Sequence, residues 1–186
     1  MKVFIDANVL FSAAVFPGGA ASQAYDLALE HDAIVSDFVL GELRRVVSEK
    51  VPDKLEAMER FIIELTAGAE TISTPKSPDH LEHNVRDVDD RPVLRAARAA
   101  GSDILLTGDK GFNESGITEP EPLTPRQFLD RYRTKYLFAR THIATEPVPQ
   151  PPNISKRSRK RGTNFSIARL ALMGTPYAHP TRIYRF

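Results

Sequence analysis

Lys2-Val3-Phe4-Ile5-Asp6-Ala7-Asn8-Val9-Leu10 constrains the fold more than any other stretch of the chain. Val3, Phe4 and Ile5 are consecutive strand formers with no polar break, the pattern of a strand buried on both faces of a parallel sheet. The run stops at an acid. In open α/β sheets ligands sit outside the carboxyl ends of the strands, so Asp6 occupies the edge where such proteins do chemistry. Glu42, Asp90 and Asp109 fall at comparable strand-end or helix-start positions further along.

The rest of the chain alternates in the same way. Asn8 to Phe16 reads as the first helical turns, broken by Pro17-Gly18-Gly19, and Ala20 to Glu30 resumes the helical pattern. Ala33 to Ser36 is a second apolar strand, and Ser36 or Asp37 can cap a helix over Phe38 to Lys50, with Glu42 in its first turns. Pro52 opens another helix, with Leu55, Met58, Phe61, Ile62 and Leu65 on one face and Ala67-Gly68 at its close. Glu70-Thr71-Ile72 is a short strand, and Thr74 to Asn84 a loop. Asp87, Asp89 and Asp90 offer caps for a helix from Pro92 to about Ala100, which Gly101 ends. Ile104 to Thr107 is the clearest later strand, with a turn at Gly108–Phe112. Pro122-Leu123 is an edge strand before a helix over Arg126 to Arg133. The order βαβααβαβα predicts a three-layer α/β sandwich, with a central parallel sheet of four to five strands flanked by helices.

Composition sets the limits. The chain has 186 residues, 41% of them hydrophobic, enough for one sizeable core. There is no cysteine, which excludes disulfides and thiolate metal ligands. No apolar run reaches the roughly 20 residues of a membrane span, and the N-terminus lacks a signal pattern, so a cytoplasmic protein without membrane contact is expected. The net charge of +1 hides an asymmetry. After Glu146 there are eight Lys and Arg residues and no acid, so the other 17 basic residues face all 24 acids. One domain over 1–146 and a flexible proline-rich linker and basic tail over 147–186 are expected. Within that tail, Phe165 to Met173 has the pattern of one amphipathic helix. Lys156-Arg157-Ser158-Arg159-Lys160-Arg161 has the charge density of a nucleic-acid-binding arm, and equally of a segment that covers an acidic site or of sequence with no selected role.

Each acid taken alone has a plain structural explanation. Asp6 and Asp90 can cap helices, Glu42 can be a solvated helix residue and Asp109 a turn residue. Together they are a different matter, because strand ends and helix starts of a parallel sheet share one edge. Crowded carboxylates repel and raise some of their own pKa values, and a hard divalent cation relieves that repulsion. All-oxygen ligation without cysteine suits Mg²⁺ or Mn²⁺. His80 and His83 have i, i+3 spacing, but Pro75 and Pro78 favour a surface loop there. Lys110 reads as an exposed turn lysine.

In four ordered blocks the chain resembles the PIN domain family, and within it the VapC-like toxins of toxin–antitoxin pairs. The blocks are Val3–Leu10, Ser36–Leu43, Asp87–Ala97 and Leu105–Phe112, with Leu123–Leu129 similar to the family's final strand and helix; the likeness spans about residues 1–133. The resemblance implies a metal-dependent endoribonuclease that acts on RNA and is held by a cognate antitoxin. It implies that Asp6, Glu42 and Asp90 coordinate the ion and that Asp109 ligates a second ion or orients the attacking water. Asn8 and Thr107 would orient a ligand or the substrate. Asp87, Asp89 and Asp90 compete for the third acid; Asp90 is chosen because its distance to Val93, Leu94 and Ala97 fits a helix N-terminus facing the site. Members often pair as homodimers, although no patch in this sequence carries that expectation.

Other Asp-centred α/β proteins fit less well. A haloacid-dehalogenase-like phosphatase needs a second Asp where Asn8 stands. A response-regulator receiver needs an acidic pair after the first strand, and a dinucleotide site needs a glycine-rich turn there. The remaining alternative is a catalytically weak PIN-like module that binds RNA or protein.

Overall fold

The computed structural model describes residues 1–133. The expected boundary at 146, the linker and the basic tail lie outside the described residues. Five parallel strands, β1 (Lys2–Ile5), β2 (Asp32–Ser36), β3 (Glu70–Ile72), β4 (Ile104–Leu106) and β5 (Glu121–Leu123), form one sheet in the order β3-β2-β1-β4-β5. β1 is the middle strand because Val3, Phe4 and Ile5 can be buried on both faces, and all three are fully buried. Phe4 lies in register with Ile34 on one side and Leu105 on the other.

Parallel neighbours require crossovers, and helices supply them. α1 (Ala7–Val15) and α2 (Ala20–Leu29) join β1 to β2, and α3 (Asp37–Lys50) and α4 (Leu55–Gly68) join β2 to β3. α5 (Arg91–Ala99) carries the chain from β3 across to β4, on the far side of β1. α6 (Lys110–Glu114) leads to β5, and α7 occupies 125–133. The chain thus runs outward from β1 in one direction, returns, and runs outward in the other. β1 and β4 flank the point of reversal, and the carboxyl edge at such a point is where open sheets bind ligands.

Three local details differ from expectation. Pro52–Lys54 forms a 3₁₀ turn before α4 rather than its first turn. Glu82–Asn84 is also a 3₁₀ turn inside the expected loop. It is held by Arg95, whose guanidinium donates two hydrogen bonds to the buried Glu82 carboxylate at 2.7 and 2.9 Å. This pair ties the 74–84 segment to α5 and so fixes the approach to its N-terminus. The third difference is α6, where a turn was expected; its five residues are too few to show a helical period.

The core lies on both faces of the sheet. Tyr25 of α2 packs on Phe61 of α4 with ring centroids 5.4 Å apart, and both rings are fully buried. No helix among the described residues is long and apolar enough to cross a membrane. Phe61→Ala is expected to cost about 3–5 kcal/mol in urea unfolding, the range for truncating a buried ring; a loss below about 1 kcal/mol would contradict this packing. A chain ending at residue 146 is expected to keep the unfolding midpoint of the full chain, and a lost cooperative transition would move the domain boundary.

Candidate functional site

Asp6, Asp109 and Asp90 are the N-cap residues of α1, α6 and α5. The caps differ. The Asp6 carboxylate accepts a hydrogen bond from the Ala7 backbone N–H at 2.6 Å, and Asp109 accepts one from the Gly111 N–H. The Asp90 side chain does not cap α5. Among the described residues its carboxylate makes no hydrogen bond or ion pair, so the capping explanation does not account for it. Asp87 and Asp89 are exposed, and Asp87 accepts the Asp89 N–H in a local turn, whereas Asp90 is half-buried.

Asp6 is the anchor. Besides the Ala7 N–H, it accepts the Thr107 hydroxyl and the Asn8 side-chain amide, both at 2.6 Å on Oδ2. Thr107 is fully buried, and its Oγ1 also accepts the Asp109 N–H at 3.0 Å. Asn8 reaches the other way, its Oδ1 accepting the Gly108 N–H at 2.9 Å. These bonds bridge β1 and β4 across the reversal point and join Asp6 to the segment that bears Asp109. Gly108 belongs to this network through its size: an added Cβ would stand 3.3 Å from Asn8 Oδ1. The position after a strand-end Thr is the one signal that could have marked it.

Glu42 arrives by helix geometry. Ser36 caps α3, accepting the Val39 N–H, and side chains on a helix lean toward its N-terminus. That lean brings Glu42 back toward the edge, and its charge acts on both Asp6 and Asp90. Its side chain is 21% exposed and pairs with Arg45 Nη2 at 2.7 Å. Arg45 was missed in the sequence, although its i, i+3 spacing from Glu42 is the signal for such a pair.

The charges are costly where they stand. Burial pushes the Asp6 carboxyl up to about 6, against the pull of the Thr107 and Ala7 hydrogen bonds, with the Glu42 and Asp109 charges adding to the rise. Asp90 is pushed up to about 7, first by burial, then by Asp109, Asp6, Asp87 and Glu42. Three helix N-termini at this edge offset part of the repulsion through their dipoles.

The donor chemistry fits a hard divalent cation: oxygen ligands only, mutually repelling, with one carboxylate, Asp90, unengaged. Among the described residues no group of three or more His, Cys, Asp or Glu side chains stands in an assembled metal-holding arrangement. An open cleft of about 440 Å³ is lined by Arg86, Asp87, Val88, Asp89, Asp90, Asp109 and Gly111. His80 lies at the surface, 3.7 Å from Asp79, and His83 is exposed, as is Lys110.

The linkage has a definite sign. The Asp90 carboxyl titrates near 7 in the folded chain against an ordinary value of 3.8, so the folded state binds the extra proton. Stability is therefore lost as pH rises from about 4 to about 7 and stays lower above that window. Asp90→Asn is expected to raise Tm by about 3–8 °C at pH 8 and to leave it unchanged at pH 4; equal shifts at both pH values would contradict the repulsion. Asp6→Asn behaves differently, because it puts an amide donor where Ala7, Asn8 and Thr107 donate three hydrogen bonds.

The model of a family described as PIN domain matches residues 2–111. None of the curated proteins matches the chain. Among solved structures, the crystal structure of VapBC2 from Rickettsia felis bound to a DNA fragment from their promoter contains a similar fold, with a TM-score of 0.53 and 16% sequence identity. The match covers 67% of this chain and 98% of that one. A family match over more than half of the sequence, on a parallel sheet with acids at its reversal point, shows that the chain belongs to the PIN domain family.

Proposed function

We propose that the chain is a Mg²⁺- or Mn²⁺-dependent endoribonuclease that hydrolyses RNA phosphodiester bonds, and that it is the toxin of a toxin–antitoxin pair. The observation that carries the reading is the electrostatic coupling of Asp6, Glu42, Asp90 and Asp109 at the reversal point of the sheet. A bound divalent cation there would supply an activated water and charge stabilisation for the leaving oxygen.

The chain's own residues set up that chemistry. Asp6 is immobilised by three hydrogen bonds, so it presents a fixed carboxylate. Asp90 offers a carboxylate that no neighbour among the described residues occupies. Glu42 would be the third metal ligand, and Arg45 limits its freedom. Asp109, held through its own N–H by Thr107, would ligate a second ion or orient the attacking water. Asn8 and Thr107 act as positioning residues by fixing Asp6 and Gly108. An acid-lined cleft also suits a cationic segment of an antitoxin, and the structural relative named above is a VapBC2 complex. Cytoplasmic residence and a homodimer belong to the same reading.

Glu42 also supports a second reading. Its pairing with Arg45 would suit a catalytically weak module that binds RNA or protein. Incubation of a mixed RNA substrate with Mn²⁺, with EDTA, and with Asp90→Asn plus Mn²⁺ separates the two. The nuclease predicts cleavage by the wild type with metal and a loss of about 100-fold or more in the variant. RNA that stays intact with Mn²⁺ while still being bound would establish the module instead.

A further inference from the structure

We propose that the segment 85–91 is the RNA-gripping lip of the cleft, with Arg86 taking a backbone phosphate and Val88 packing against the adjoining ribose or base. The inference rests on the ribonuclease reading and names residues outside its acid set.

The cleft has an electrostatic problem. Four of its seven lining residues are acids and one, Arg86, is a cation. A divalent ion leaves such a wall still negative, so an RNA phosphate needs a cation from the protein at the point of entry. Arg86 is exposed, and among the described residues its guanidinium makes no hydrogen bond or ion pair, although the six Arg residues of α3, α4 and α5 all do. An arginine that lines a cleft with four acids and pairs with none of them keeps its fork of donors for a ligand.

Val88 is the second observation. It is 63% exposed, one of only two large apolar side chains more than 60% exposed among the described residues, and it lies in the lining two positions from Arg86. The backbone that presents them is pinned. Val85 is buried, and its carbonyl accepts the Arg91 Nε–H. The Val88 carbonyl accepts the Arg91 N–H, and Asp87 accepts the Asp89 N–H. The lip therefore offers one cation and one apolar face from a fixed backbone, the pair of contacts that a nucleotide's phosphate and sugar or base can use together.

The test is fluorescence anisotropy of a single-stranded RNA with the full chain in EDTA, where no turnover interferes, repeated across salt concentrations. Arg86→Gln is expected to weaken binding about 10-fold and to lower the slope of log affinity against log salt by about 0.7, the value for one lost phosphate contact on a single strand. Arg86→Lys should keep the slope and recover part of the affinity. Val88→Ser should weaken binding about 3-fold without touching the slope. Unchanged affinity and slope in Arg86→Gln, in a variant whose melting temperature matches the wild type, would overturn the proposal. Failure of the nuclease reading looks different: an Arg86-dependent salt slope in a protein that never cleaves RNA leaves the lip standing and removes the chemistry.

Discussion

The structure depends on one hydrogen bond more than on any other, that from the Thr107 hydroxyl to the Asp6 carboxylate. Both groups are buried at the ends of adjacent strands whose sequence positions are far apart. Burying a carboxylate is expensive unless it is hydrogen-bonded, and Asp6 is satisfied by Thr107, Asn8 and the Ala7 N–H. The same bonds set the relative positions of β1, β4 and the segment carrying Asp109. A change at Thr107 would therefore reach the acid site through the backbone of two strands.

What remains after that satisfaction is charge. Asp6 and Asp90 stay well above ordinary carboxylate values because burial and neighbouring acids act together. A fold selected for stability alone would not gather four acids at one edge. Functional sites are where such a cost is tolerated, since perturbed groups with specific charge partners cluster at sites of chemistry. The expense is local, and the core under it is ordinary: apolar side chains close-packed on both faces of the sheet.

The elements with strong periodicity were legible from the sequence. The unbroken apolar runs at Val3–Ile5 and Ile104–Leu106 are the middle strands, and the spacing of Leu65, Ile62, Phe61 and Met58 marks α4. α6 was not legible, since five residues with Gly111 in the first turn carry no period. The third acid was ambiguous locally, because Asp87, Asp89 and Asp90 are all good capping residues. Only the fold distinguishes the one whose side chain leaves its helix uncapped and faces the other acids. The Asn8–Gly108 contact is a matter of tertiary closeness, which no local pattern reveals. Glu82 reads in sequence as a loop acid, and its burial follows from a guanidinium on α5 thirteen residues later.

The proposed function stands on these carboxylates holding a divalent ion. The direct measurement is electron paramagnetic resonance of Mn²⁺ titrated with the full chain at pH 8, where the signal of the free ion reports what remains unbound. The account predicts a saturable loss of signal at one or two ions per chain, abolished or strongly weakened by Asp90→Asn. A free-ion signal that rises linearly from the first addition would contradict it, and the acids would then be a cost without a metal to relieve it.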